Sequence, residues 1–213
     1  MYLLSSPFFM VTLEDGKKAV QLARHTITSF IDSTKATPSI SSLSELFQDK
    51  RGVFVTLHTF PNHELRGCIG IPYPVMKLHD ALIEAARSVT HDPRFPPLQT
   101  AELDQVLIEV TVLTPPEEIT VTKPDEYLLQ IHIGRDGLIV EQRFFKGLLL
   151  PQVPVEQNWD VEAFLAHTCM KAGLPPDAWI DTQTKFYKFS GQIFTEVKPH
   201  GTIEEKHIDG SDN

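Results

Sequence analysis

A cysteine between two glycines is the first place in this sequence where chemistry could occur. It lies in the run Leu65–Gly70, which reads Leu-Arg-Gly-Cys-Ile-Gly. The glycines allow a ligand to approach the backbone, and the charge of Arg66 would favour the thiolate of Cys68. Cys68 is therefore a candidate catalytic residue, and Arg66, Gly67 and Gly70 are candidate substrate-binding residues. The alternative is a small buried side chain beside a tight bend, because free cysteines are among the most buried residues.

Two histidines could exchange protons with such a thiol, and both are candidate catalytic residues. His79 shares one face of a predicted helix with Val75 and Leu82, so the alternative is a buried core histidine. His91 ends that helix and precedes a loop, a position that favours function.

A metal site has little support in the sequence. The patterns Cys-x-x-Cys and His-Glu-x-x-His are both absent. His58, His63, Cys68 and His91 could converge on a metal only through the fold. We therefore predict no metal and no cofactor.

Three further charged residues complete the candidate substrate-binding set. Asp92 and Arg94 lie in the segment Asp-Pro-Arg-Phe-Pro-Pro, whose prolines stiffen the backbone. They either bind a substrate or form a buried ion pair that fastens the loop. Glu109 lies in a predicted strand and points away from the face of Ile108. It is either an acid or base with a raised pKa, or a charge that is solvated or paired with an arginine.

Hydrophobic periodicity predicts the elements that must position these residues. A helix is predicted over about residues 14–32, with Thr12 in a capping box before it. A second helix follows over about residues 75–89. Runs rich in β-branched and aromatic residues predict strands over 52–59, 65–71 and 105–113.

The second half of the chain predicts more hairpin-like neighbours. Strands over 127–133 and 138–141 are predicted to form a hairpin around a turn at 134–137. A helix capped by Asp160 and ended by Gly173 follows. A long strand is predicted over 185–197, and the polar tail from Pro199 is predicted to fray. Strands and helices do not alternate strictly along the chain. The predicted fold class is therefore α+β with antiparallel sheets.

Composition limits the classes of function. The chain has 213 residues, with 19 Lys and Arg against 28 Asp and Glu, which gives a net charge of −9. An acidic surface repels nucleic acids and anionic membranes, so neither is a predicted partner. No run approaches the roughly 20 apolar residues of a membrane span. Residues 1–11 predict a strand or packing arm rather than a signal peptide, and two cysteines suit the cytoplasm.

Several of these segments together resemble the AMMECR family. They are Gly52–Thr56, Leu65–Gly70, Asp92–Pro97, Ile108–Val110, Gly134–Leu138, Leu150–Val153 and Trp159–Asp160. The resemblance covers about residues 10–197, and Gly147–Pro151 is similar to prokaryotic members. It implies one domain over 10–197, followed by a polar tail over 198–213. The implied fold has two unequal subdomains, each an antiparallel sheet with helices, and a cleft between them that gathers the motifs.

The resemblance implies no known reaction, and two functions stay open. It implies an association with a Memo-like protein and a radical S-adenosylmethionine enzyme, as component A of a proposed modification system. The chain is then either an enzyme that acts on a small molecule or peptide in the cleft, or a non-catalytic adaptor or substrate protein for those partners. Nucleic-acid binding is disfavoured by the net charge of −9 and by the lack of a basic run with interleaved aromatic residues.

Overall fold

Five α-helices and nine strands are formed by residues 10–32 and 43–206, the part of the chain that this computed structural model describes. The helices are α1 (Leu13–Ile31), α2 (Leu78–Ser88), α3 (Tyr127–Gln130), α4 (Gln152–Glu156) and α5 (Val161–Lys171). The strands are β1 (Val53–Thr59), β2 (Leu65–Ile71), β3 (Val106–Leu113), β4 (Glu117–Glu118), β5 (Gly137–Gln142), β6 (Phe145–Leu149), β7 (Lys185–Phe189), β8 (Gly191–Glu196) and β9 (Ile203–Lys206). The chain divides into two units. The first includes the described residues up to Thr114 and resumes at Gln192, and the second is Pro115–Gly191.

The first unit is built on a five-stranded sheet in the order β2-β1-β3-β8-β9. Strand β1 pairs antiparallel with β2 and with β3, and β8 pairs antiparallel with β9. Alternate residues of β1, namely Val53, Val55 and Leu57, join the buried residues of α1 and α2 in one hydrophobic core. Because side chains alternate along a strand, Thr56 and His58 lie on the opposite face. That second face carries the polar residues of the site described below.

Helix α1 begins where the capping pattern predicts. The hydroxyl of Thr12 accepts a hydrogen bond from the backbone N–H of Asp15 (3.1 Å) and donates one to its carboxylate (2.7 Å). Further along, a Cβ atom at Gly16 would lie 2.2 Å from the ring of Phe194. Glycine at this position therefore lets α1 approach β8 closely.

A buried ion pair links α1 to the sheet. The Nε of Arg24 donates to Glu196 Oε1 (3.0 Å), and its terminal nitrogens donate to Glu196 Oε2 and to the carbonyls of Leu103 and Val106. The carboxylate of Glu196 also accepts from the backbone N–H of Ile108 (3.0 Å). These hydrogen bonds offset the cost of burying two charges.

The second unit contains a four-stranded antiparallel sheet in the order β4-β7-β5-β6. Helix α5 contributes Phe164, Leu165 and Cys169 to its core, where Cys169 was expected. The carboxylate of Asp160 caps α5 by accepting from the N–H of Ala163 (2.8 Å), and Gly173 follows the helix with a φ of 78°. Both predicted boundaries of this helix are therefore confirmed.

Two predicted elements are wrong. The segment predicted as the first strand of a hairpin forms helix α3, and the hairpin instead joins β5 to β6 through a turn in which Arg143 has a φ of 55°. The short apolar run of α3 suits a buried strand and a helical turn equally, so periodicity cannot separate them. The single strand predicted over 185–197 is two strands, β7 and β8, which belong to different sheets.

The ends of the predicted domain are partly described. The tail predicted to fray contains β9, which pairs with β8. Val11 is held by Gln192, whose side chain accepts from its N–H (2.6 Å) and donates to its carbonyl (3.1 Å). Three segments lie outside the described residues: the rest of the predicted arm (residues 1–9), residues 33–42, and the tail beyond residue 206.

The expected fold class is confirmed, since helices accompany two antiparallel sheets in two units of unequal size. The cleft between subdomains stays a prediction. None of the described helices is long and apolar enough to cross a membrane.

Candidate functional site

The backbone of Cys68 lies on the outer edge of the first sheet, because β2 is an edge strand. Its N–H donates to Asp92 Oδ2 (2.8 Å), and its carbonyl accepts from Arg94 Nη2 (3.0 Å). Unpaired edge groups of this kind can recruit another strand. Asp92 and Arg94 therefore close the edge of β2 at the motif cysteine.

Asp92 is the centre of this contact. Its side chain is almost completely buried, and besides Cys68 it accepts hydrogen bonds from the backbone N–H of Arg94 (3.0 Å) and from the Arg94 guanidinium (3.0 and 2.7 Å). The hydrogen bonds from Arg94, more than those from backbone N–H groups, hold the pKa of Asp92 far below its usual value. The carboxylate in turn raises the pKa of Arg94. Of the two readings of this pair, the contacts favour an ion pair that fastens the loop.

Arg66 is occupied by other groups. Its Nε and Nη2 donate to the two carboxylate oxygens of Glu102 (2.8 and 3.1 Å), and Nη2 also donates to the carbonyl of Pro96 (3.0 Å). The ring of Phe95 lies 5.9 Å from the Arg66 guanidinium and 5.7 Å from that of Arg94. The loop over 92–97 is therefore held on β2 by two arginines, Arg66 from the strand and Arg94 from the loop.

The two glycines of the motif make room for the protein's own atoms. A Cβ atom at Gly67 would lie 3.1 Å from the carbonyl oxygen of Val89, and one at Gly70 would lie 2.2 Å from the ring of Phe54. This packing accounts for both glycines without a ligand. Their predicted role in substrate binding stays a prediction.

The thiol of Cys68 is partly buried and carries one hydrogen bond. The hydroxyl of Thr56, its direct partner in the β1–β2 register, donates to Sγ across 3.2 Å. Burial raises the pKa of Cys68; Thr56 and Arg94 act to lower it, and the charges of Asp92 and Glu109 act to raise it further. The expectation that Arg66 makes a low-pKa thiolate here is wrong in direction, because burial dominates and Arg66 is bonded to Glu102.

Cys68, Thr56 and Glu109 form a row of directly paired residues across β2, β1 and β3. In the strand register Cys68 is opposite Thr56, and Thr56 is opposite Glu109 on its other side. Glu109 is 8% exposed, with His58 Nε2 at 3.7 Å and Lys206 Nζ at 3.4 Å from its carboxylate oxygens. Burial acts to raise the pKa of Glu109, but His58 and Lys206 outweigh it and the pKa is lowered. Of the two interpretations of Glu109, these contacts favour a paired charge over a group with a raised pKa, and Glu109 is an ionised carboxylate at neutral pH.

His58 is the histidine that lies beside this row, next to the carboxylate of Glu109. Both of its ring nitrogens are buried, and neither has a hydrogen-bond partner among residues 10–32 and 43–206. Its nearest charged group is Glu109, at ion-pair rather than hydrogen-bond distance. The ring of His58 therefore lies beside the carboxylate of Glu109 without a direct hydrogen bond to it.

The two histidines proposed from the sequence have other partners. The Nδ1 of His79 is 2.9 Å from Asp80 Oδ1, and its side chain is partly exposed rather than a core histidine. His91 is exposed, with Nδ1 2.8 Å from the Thr90 hydroxyl and its ring in edge contact with Phe30 (5.8 Å). No hydrogen bond, ion pair or ring contact within the described part of the chain joins either histidine to Cys68. Their catalytic roles stay a prediction.

The site residues thus lie on strands and a loop that also carry the motifs quoted above. The AMMECR1 family model matches residues 20–194 of the chain. The chain belongs to the AMMECR1 family.

The AMMECR1 relatives are similar to this chain over almost their whole length. It is 56% identical over 200 residues to protein MJ0810 of Methanocaldococcus jannaschii, covering 93% of this chain and 98% of the relative. It is 48% identical to protein MK0488 of Methanopyrus kandleri, covering 93% and 96%. The crystal structure of the uncharacterized protein PH0010 from Pyrococcus horikoshii aligns with a TM-score of 0.78 at 48% identity, covering 92% of this chain and 98% of that one.

Sequence reasoning did not place four residues in this candidate site, although it named His58 as one possible ligand of a metal. Thr56 and His58 alternate with buried residues of β1, and Lys206 and Glu102 lie far from the motif in sequence. The signal for the first two was available, because the strand alternation that placed Glu109 away from the core does the same for them. No group of three or more potential metal ligands occurs within the described ranges, 10–32 and 43–206.

Proposed function

We propose that this chain is an enzyme, or a catalytic component of a modification system, whose reacting group is the Cys68 thiol. The row formed by Cys68, Thr56 and Glu109, with His58 beside the carboxylate, carries this proposal. It combines a nucleophile, a hydroxyl that touches the sulfur, and an acid–base pair on one face of a sheet. Residues on strands are held more rigidly than residues on loops, which suits a catalytic arrangement.

In the proposed reaction each of these side chains has its own role. The thiol is protonated at neutral pH because its pKa is raised, so it must lose a proton when it attacks a substrate. Glu109 is ionised and can accept that proton, with the Thr56 hydroxyl as the group between them in the register. His58 then shares the proton with Glu109. The guanidinium of Arg94 is half exposed and can hold an acidic group of the substrate.

The test is whether Cys68 carries activity. The variant C68S should lose the function of the chain in a complementation assay, while C169S should keep it if it folds. Iodoacetamide should label Cys68 slowly at pH 7 and faster as the pH rises past the free-thiol value of about 8.5. Cys169 is fully buried, with a pKa raised to about 11, and serves as the internal reference. If C68S kept full function, a catalytic role for the thiol would be excluded.

A second function is supported by the hydrogen bonds that the charged motif residues make within the protein. Arg66, Asp92 and Arg94 are all bonded to other parts of the first unit, as expected for residues that shape a surface. The chain would then be an adaptor or substrate protein for a Memo-like protein or a radical S-adenosylmethionine enzyme. Native co-purification from cells that contain both partners tests this. An unchanged complex with C68S would favour the adaptor, and the absence of any complex would count against it.

The remaining expectations belong to the same proposal. Cytoplasmic location is supported by the two free cysteines, which persist in a reducing compartment. A small molecule or peptide is the proposed substrate. The net charge of −9 argues against a nucleic acid in that role.

A further inference from the structure

The last described strand, β9, brings a lysine to the face of the first sheet that carries Glu109. Side chains alternate along β9, and Ile203 packs against the hydrophobic core. Lys206 lies on the opposite face, where its Nζ is 3.4 Å from Glu109 Oε2. Neighbouring strands are about 4.8 Å apart, so β9 lies about 10 Å from β3 in the order β3-β8-β9. The side chain of Lys206 therefore crosses β8 to reach this carboxylate.

Two neighbours hold the carboxylate of Glu109, each through a different oxygen. Oε2 faces Lys206, whereas Oε1 is 3.7 Å from Nε2 of His58 on β1. Glu109 is 8% exposed, but the side chain of Lys206 is 56% exposed. The lysine thus extends from the solvent to a buried carboxylate, and the two contacts together fix how the carboxylate is turned.

A buried carboxylate depends on a nearby cation to stay ionised, because burial penalises its charged form. The other charged or titratable groups that act on the row or on its thiol are His58, Cys68, Asp92 and Arg94. A histidine loses its charge near neutral pH, whereas a lysine keeps it. Lys206 therefore supplies the positive charge that remains beside Glu109 when His58 is neutral.

We propose that Lys206 is a positioning residue for the reaction at Cys68, because it holds Glu109 ionised and turned to accept the thiol proton. This inference rests on the proposed catalytic role of Cys68. It gives a part in the site to a residue outside the range 20–194 that the family model matches. The sequence predicts only a fraying polar tail in this segment, and the contact with Glu109 gives β9 a function in the site.

The ionisation of Glu109 can be measured directly by carboxyl ¹³C NMR against pH, with E109Q identifying its resonance. In K206M the pKa of Glu109 should rise, because the cation that opposes the effect of burial is gone. K206R keeps the charge and should restore the wild-type titration. The matched control K198M removes an exposed lysine from the loop between β8 and β9, and it should leave the titration unchanged. A lysine that only stabilised the fold would change Tm without moving this titration.

Complementation then measures whether the contact matters for function. K206M should complement less well than the wild type but better than C68S, because the base is weakened while the thiol remains. K206R and K198M should both complement fully.

Three outcomes would overturn the role of Lys206 while leaving that of Cys68 intact. They are an unchanged Glu109 titration in K206M, the same altered titration in K206R and K206M, and full complementation by K206M when C68S fails. Full complementation by C68S would instead overturn the proposed function, and with it any role of Lys206 in a reaction. The NMR titration and the C68S assay therefore separate the two failures.

Discussion

The backbone N–H of Cys68 donates to the buried carboxylate of Asp92 across 2.8 Å, although the two residues are 24 positions apart in sequence. The same carboxylate holds Arg94, which returns a hydrogen bond to the carbonyl of Cys68. Both exposed peptide groups of the motif cysteine are thus satisfied by one loop. The loop thus fixes the position of Cys68 on the sheet. Because these contacts involve the backbone of Cys68 and not its sulfur, their effect on the free energy of unfolding can be measured separately from the reactivity of the thiol.

Replacing Asp92 should destabilise the protein. The variant D92N keeps the shape of the side chain but removes the charge that pairs with Arg94, so we expect a loss of about 2 kcal/mol in the free energy of unfolding. The measurement is urea denaturation at pH 7. As a matched control, D104N changes an exposed aspartate whose carboxylate pairs with His200, and it should alter stability by less than about 0.5 kcal/mol.

The same contact should appear in the pH dependence of stability. The folded pKa of Asp92 is lower than its unfolded value of about 3.9, so its stabilising effect is complete above that value and is lost as the pH falls below it. The difference in unfolding free energy between the wild type and D92N should therefore begin to shrink below about pH 4 and still be shrinking at about pH 2, because the folded pKa lies far below the unfolded one. Parallel curves over that range would show that Asp92 is not the titrating group.

The thiol pKa should respond in opposite directions to two isosteric variants. E109Q removes a negative charge that raises the pKa of Cys68, so its pKa should fall and alkylation at pH 7 should quicken. T56V removes the hydrogen bond that lowers this pKa, so the pKa should rise. Both are measured from iodoacetamide rates against pH. T111V, on the same strand as Glu109, is the control; equal profiles for all three would refute this account of the site.

Removing one partner of the buried ion pair in the first unit should lower the free energy of unfolding far more than removing one partner of an exposed pair. R24M leaves Glu196 as an unpaired buried charge and should cost about 3–5 kcal/mol. K185M breaks an exposed pair with Glu118, in which both side chains are about half exposed, and should change the free energy of unfolding far less than R24M does. Chemical denaturation of both variants gives the comparison. Similar losses for the two variants would contradict the prediction that R24M leaves an unpaired buried charge on Glu196.

The close contact at Gly70 should make alanine costly there. A Cβ atom would overlap the ring of Phe54, so G70A should destabilise the protein by about 1–3 kcal/mol. The double variant G70A/F54L should recover part of the loss, because leucine vacates some of that space. Thermal unfolding measures both. An undiminished Tm for G70A would leave this glycine free for the ligand-binding role predicted from the sequence.

Local sequence determined the parts of this protein that depend on neighbouring residues. The capping pattern at Thr12, the cap at Asp160 and the glycine that ends α5 are confirmed, because each is a contact within one helical turn. Alternation along β3 also placed Glu109 correctly on the face away from the core. The family resemblance also rested on short segments, such as Leu65–Gly70 and Asp92–Pro97.

Only the tertiary structure decided which residues meet the thiol. Thr56, Asp92 and Glu109 come from three separate elements, and strand register and loop docking bring them to Cys68. Periodicity in one segment carries no information on register between segments, so it cannot show that His58, rather than His79 or His91, lies beside Glu109. The directions of the pKa shifts at Cys68 and Glu109 could not be deduced from the sequence either. Burial at Cys68 and the charges around Glu109 are properties of the packed sheet, and no single strand displays them.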